Sequence, residues 1–187
     1  MIGMSLVAVH SQAAQISYTT ELGGPAESPP NASPGFGFAA VDVDTTAHTM
    51  RVKLNFTGLT SATTASHIHA PTPTPLTGTA GVATQTPSFS GFPLGVTAGT
   101  MDQTLDLTQP ASYNPAYVTA NGGTPAGAEA ALESALASGQ SYLNIHTTDF
   151  PTGEIRGFLV PAPEPASLGL IACAGVLALR RRRRTMQ

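Results

Sequence analysis

Through the middle of the chain, apolar and polar residues alternate one by one. In HTMRVKLNFTGL, Met50, Val52, Leu54 and Phe56 fall on one side and Arg51, Lys53 and Asn55 on the other. That period of two marks a strand with one buried face. Similar bursts occur at QISYTT, FGFAAVDV, SHIHA, GTMDQTLDL, SYLNIHT and EIRGFLV, separated by turn-forming clusters such as PAESPPNASPG and PTPTPLTG. The spacing predicts an all-β fold, an antiparallel β-sandwich or barrel of Ig-like or superoxide-dismutase-like architecture. One short helix is expected between Pro125 and Ser138. Thr124 can cap it, Pro125 suits its first turn, Leu132 and Leu136 lie one turn apart, and Gly139 ends it. GFPLGVTAG, from Gly91 to Gly99, can hold a loop over a pocket, though a turn between strands is the commoner reading. No repeat of roughly 20 to 50 residues is present, which argues against a solenoid or propeller.

The pattern changes at both ends. Ala166 to Leu179 is an uncharged run of 14 residues closed by Arg180, Arg181, Arg182, Arg183 and Arg184. As a helix it would rise about 21 Å against roughly 30 Å of hydrocarbon, so it is expected to be a short transmembrane helix stretched by snorkelling arginines. A positive cluster on that end stays cytoplasmic and puts the preceding body outside. Pro163, Glu164 and Pro165 keep the stretch upstream extended. At the other end MIGMSLVAVHSQAAQ is apolar and finishes in small residues, like a signal peptide without its basic region. Residues 1–14 are therefore expected to be part of such a signal, with the true start upstream. The expected organisation is this segment, a β domain over 15–160 with its core at 36–160, and a tail over 161–187.

Pro-Glu-Pro, a short apolar helix and a terminal arginine run, in that order, resemble the PEP-CTERM sorting signal of Gram-negative bacteria. The resemblance covers 161–187. It implies export, transient membrane insertion through the tail, and removal of the tail by an exosortase-type membrane protease. The expected destination is the cell surface or extracellular matrix, in contact with the bacterial envelope or exopolysaccharide.

Composition narrows the body further. Charged residues make up 10% of the chain, with 19 glycines and 16 prolines, a turn-rich composition that still holds enough Val, Ile, Leu and Phe for a modest core. The net charge of −3 hides a division: residues 1–160 carry ten acids and three bases, and the five arginines of the tail supply the rest of the positive charge. An acidic body disfavours nucleic acid as a partner. The single cysteine, Cys173, lies in the apolar tail, so the body is expected to have neither disulfide nor thiol chemistry.

The chemically suggestive residues are histidines. His67 and His69 flank Ile68, and period two puts both imidazoles on one face. In SYLNIHTTDFPTGEIRG, His146 ends one strand, and Glu154 and Arg156 open the next after a turn. A hairpin would bring His146 and Glu154 together near its mouth. ASHIHAP, the loop LTGTAGV, a helix ending ALASGQ and then SYLNIHTTDFPTGEIRG resemble the CHRD domain, over roughly 36–160. The PTPTPLTG insert and the long apolar GFPLGVTAG depart from that pattern. The resemblance implies an all-β extracellular module without a well-established enzymatic activity.

Two roles remain open for these residues. His67, His69 and His146 with a nearby carboxylate form a set suited to zinc or copper, and a His-x-His on a strand is similar to the copper site of Cu,Zn superoxide dismutase. That enzyme needs further histidines and a disulfide, whereas this body adds only His48, and an acidic body repels superoxide. The alternative is a polar network in which His67, His69, Asn144 and His146 hydrogen-bond across strand ends while Glu154 pairs with Arg156 or accepts an imidazole N–H. There is no Gly-x-Ser-x-Gly, no phosphate-cradling glycine loop and no catalytic carboxylate pair. The expectation is an exported non-catalytic module for protein or glycan interaction, without a cofactor. A copper or zinc protein, with an oxidoreductase as one form of it, is the alternative.

Overall fold

The computed structural model describes residues 15–163. The signal-like segment 1–14 lies outside the described residues, as do Glu164, Pro165, the apolar run 166–179, and Arg180 to Arg184. Pro163 is exposed at the last described position. Among the described residues no helix is long and apolar enough to cross a membrane.

The seven alternating bursts all form strands: β1 (Gln15–Gly23), β2 (Phe36–Asp44), β3 (Thr49–Thr57), β4 (Thr63–His69), β5 (Gly99–Asp106), β6 (Tyr142–Thr147) and β7 (Ile155–Phe158). A two-residue β8 (Val160–Pro161) follows and pairs with β1. They make one eight-stranded antiparallel sheet in the order β4-β6-β7-β1-β2-β3-β5. The fold is thus mostly β, with one curled sheet rather than two separate ones. GFPLGVTAG explains the curl. Before entering β5 at one edge, the chain bonds to the corner leading into β4 at the other edge: Leu59 N–H to Thr97 O (3.1 Å), Thr63 N–H to Val96 O (2.9 Å) and Gly95 N–H to Thr63 O (2.9 Å). The two edges are drawn toward each other, giving a half-barrel.

The alternating residues fill its inside. Val41 and Val43 of β2, Met50, Val52, Leu54 and Phe56 of β3, Ile68 of β4, Leu143 and Ile145 of β6 and Ile155 of β7 belong to one buried cluster. Each such side chain contributes roughly 1.5–3 kcal/mol on leaving water. Two α-helices join it, one more than the pattern predicts. The expected one, α2 (Pro125–Ala137), has Thr124 as N-cap, its side chain accepting from Gly127 N–H, and buries Leu132 and Leu136. Gly139 follows at φ 66°, the left-handed conformation that ends helices. The other, α1 (Pro115–Ala120), begins the same way, with Asn114 accepting from Ala116 N–H and Pro115 in the first turn. Six residues are too few for a helical period to show.

Candidate metal centre

The strands β4, β6 and β7 lie side by side. Register sets His67 against Asn144 against Arg156, and His69 against Tyr142 against Phe158. His146, two residues beyond Asn144, shares their face. Ile68, Leu143, Ile145 and Ile155 point the other way, into the core. The histidines therefore stand on the sheet face opposite the hydrophobic interior, and side chains there stay buried only if loops cover them. Three loops do so. The long β4–β5 connection passes over His67 and His69, the turn after β1 brings Glu27 against Arg156, and the β6–β7 turn reaches His146.

Two of these loops supply carbonyls to the rings, the β4–β5 connection to His67 and His69 and the β6–β7 turn to His146. His67 Nε2 donates to Pro87 O (2.7 Å), His69 Nδ1 to Ala80 O (2.9 Å) and His146 Nδ1 to Pro151 O (3.0 Å). A carbonyl only accepts, so these contacts assign the N–H of each ring and leave the other nitrogen with a bare lone pair. Those remaining atoms, His67 Nδ1, His69 Nε2 and His146 Nε2, are all buried without a hydrogen-bond partner. The rings crowd together with centroids 5.3–6.0 Å apart. One nitrogen from each lies within 4.8 Å of the other two. Burial pushes His67 down to about 4 and lowers His69 and His146, against the carbonyls they face. All three are neutral at pH 7, the form that ligates metals.

Unpartnered buried polar atoms are costly, about 1–3 kcal/mol each. Three in one cluster of rings need a reason. An imidazole whose second nitrogen donates to a backbone carbonyl is the usual state of a metal ligand, because that bond fixes both tautomer and ring orientation. A zinc–nitrogen bond of about 2.0–2.1 Å asks the rings to move inward from their present spacing.

Around the rings is a column of stacked groups. The Tyr142 ring lies parallel to His69, with centroids 4.8 Å apart and planes 4° from parallel. The Arg156 guanidinium sits 4.7 Å from the Tyr142 centroid and 5.6 Å from that of Phe158. Arg156 also donates to Ala26 O and to Gly78 O (3.1 Å), and its Nε is 3.7 Å from Glu27 Oε2. Burial pushes the Glu27 carboxyl up to about 7, against the pull of Arg156.

Glu154 does not join this group. Its carboxylate accepts from Ser33 Oγ (2.6 Å), Thr60 N (2.7 Å), Thr60 Oγ1 (3.0 Å) and Thr147 Oγ1 (2.7 Å). The side chain is fully buried. Burial favours its neutral form, yet the hydrogen bonds from Ser33, Thr147 and Thr60 outweigh burial and hold its pKa below the ordinary value. The expected contacts of Glu154 with His146 and with Arg156 are therefore replaced. Glu154 precedes β7 and follows Gly153 at φ 131°, and there it meets three hydroxyls close by. His146 bonds Pro151 instead, and Arg156 bonds the turn after β1. His48, the body's other histidine, pairs with Glu129 (2.9 Å).

Glu27 and Tyr142 are the neighbours that the sequence pattern left out. Tyr142 shares the two-residue period of Asn144 and His146, which was enough to find it. Glu27 lies in a proline-rich connection with no period.

The family model described as CHRD domain matches residues 18–159. The match takes in most of β1, which the resemblance over 36–160 omits. No curated protein and no solved structure matches the chain.

Proposed function

The chain belongs to the CHRD domain family, and we propose that it is an exported, non-catalytic β module that holds a zinc or copper ion on His67, His69 and His146. One observation carries this: three clustered neutral imidazoles each keep one buried nitrogen without a partner while the other is tied to a backbone carbonyl. The metal would tie the β4–β6 edge to the two loops whose carbonyls hold the rings. A binding role is favoured over catalysis because the carboxylate expected beside the rings, Glu154, is engaged elsewhere. Glu154 is held by hydroxyls and Glu27 lies against Arg156.

The place of action we propose is the outside of a Gram-negative cell. Pro163-Glu164-Pro165, the apolar run and the arginines support handling by an exosortase-type protease, after which the domain would remain with the envelope or exopolysaccharide. The outer sheet face, where Phe36 and Phe38 are exposed, offers a surface for a protein or glycan partner.

Elemental analysis of the purified native protein tests the metal reading. About one zinc or copper per chain is expected, lost in His69→Ala. A metal-free chain that takes up neither ion on addition overturns it. Mass spectrometry of the mature protein should find a terminus near Pro165, and Arg184 still attached would remove the sorting proposal.

A further inference from the structure

Asn144 is almost completely buried, 2% exposed, on the face that carries the histidines. It lies opposite His67 in the β4–β6 register and two residues before His146. Its carboxamide is therefore set among the three rings. Its Oδ1 is buried without a hydrogen-bond partner. The nitrogen is turned toward Gly153 and Glu27: a Cβ placed on Gly153 would be 2.9 Å from Asn144 Nδ2 and 2.5 Å from Glu27 Oε1. Oδ1 is the carboxamide atom left without a partner on the face that carries the rings.

His69 Nε2 and Asn144 Oδ1 are thus two acceptors buried on one sheet face, neither able to donate to the other. A cation between them satisfies both. We infer that Asn144 is a fourth metal ligand through Oδ1, completing a neutral set of three imidazole nitrogens and one amide oxygen. This inference rests on the metal reading above and adds to it a coordination number and a preference. Four neutral N and O donors suit a divalent ion such as Zn(II), whereas Cu(I) favours softer ligands and gains little from an amide oxygen. No carboxylate in the set offsets the ion's charge, and Arg156 stands nearby. An Asp at position 144 would therefore bind more strongly than the native Asn.

The test is competitive titration of the apo full-length chain with ZnCl₂, together with the visible spectrum of the chain loaded with CoCl₂. Asn144→Ala should weaken Zn(II) about 10- to 100-fold and change the Co(II) absorption bands. Asn144→Asp, which keeps an oxygen in place, should bind at least as tightly as the native chain. If Asn144→Ala binds Zn(II) as the native chain does while His69→Ala does not, the inference is overturned and the three-histidine centre stands. If both Asn144 variants lose affinity alike, the residue packs rather than ligates, and the inference is again overturned. A native chain that binds no metal removes the inference and the metal reading together.

Discussion

Two polar clusters flank the β6–β7 hairpin, and they differ in how completely their hydrogen bonds are made. On one side Glu154 accepts four hydrogen bonds from three residues at 2.6–3.0 Å. On the other, His67, His69, His146 and Asn144 each keep a buried nitrogen or oxygen with no partner. Both clusters are enclosed and both draw on β6. A buried polar group that is fully bonded stabilises its fold and is already at rest, whereas a set of unpartnered acceptors costs stability that only a bound donor or cation can return. The contrast separates a structural tie from a binding site without appeal to residue type. The residue expected to join the histidines, Glu154, proves to be the centre of the tie.

The largest expected effect lies on the bonded side. Glu154→Ala strands the hydroxyls of Ser33, Thr60 and Thr147 and the N–H of Thr60, and should cost about 3 kcal/mol, because hydrogen bonds to a charged group are the strong ones. Glu154→Gln keeps part of the set and should lose less. Urea unfolding measures both. The pH dependence has a definite sign. The folded pKa of Glu154 is depressed, so its contribution is complete above the unfolded value of about 4.3 and is lost as pH falls through the folded value. Glu27, raised to about 7, acts in the opposite sense between about pH 4.3 and 7, so the quantity to follow is the difference between native and Glu154→Gln stability. That difference should shrink on acidification below about pH 4.3, and one constant from pH 7 to 2 would show that the carboxylate charge does not matter.

On the unbonded side the effect of the metal should exceed that of the side chain. Zn(II) at a hundred times its dissociation constant should stabilise the native chain by about 2.7 kcal/mol. His69→Phe should lose that gain, while its metal-free stability should shift by less than about 1 kcal/mol. Phe removes an unpartnered Nε2 and keeps a ring against Tyr142, at the cost of the Ala80 hydrogen bond. Thermal melts of both chains with and without zinc measure this. A His69→Phe loss as large as that of Glu154→Ala would make the two clusters alike and both structural.

The strands were legible because one face of each is buried, so alternation recorded the burial directly. His67 and His69 could be paired by the same period within one strand. Their meeting with His146 needed the β4–β6 pairing, which no local pattern encodes. The fate of Glu154 was hidden for a different reason. Its partners Ser33 and Thr60 lie in loops 121 and 94 residues away, and loop hydroxyls carry no periodic signal. The carbonyls of Ala80, Pro87 and Pro151 that assign the imidazole tautomers are backbone atoms, which no side-chain pattern marks.

The smallest effect is the most discriminating about how the ligand face is held. Tyr142 stacks on His69 and also reaches the loop above it, its hydroxyl 3.4 Å from both the N–H and the carbonyl of Ala80. The same carbonyl accepts from His69 at 2.9 Å. If His69 is oriented by that carbonyl and by stacking, the long hydroxyl contacts matter little, and Tyr142→Phe should change stability by less than about 0.5 kcal/mol, as weak and distant hydrogen bonds do. Zinc affinity should then change less than about threefold, well short of the 10- to 100-fold loss typical when a partner that orients a ligand is removed. A tenfold loss in Tyr142→Phe, at unchanged stability, would place the orienting contact in the phenol and make the loop carbonyl secondary. Titration with zinc beside a urea unfolding curve distinguishes the two arrangements, since only affinity should report on a ring held in the wrong direction.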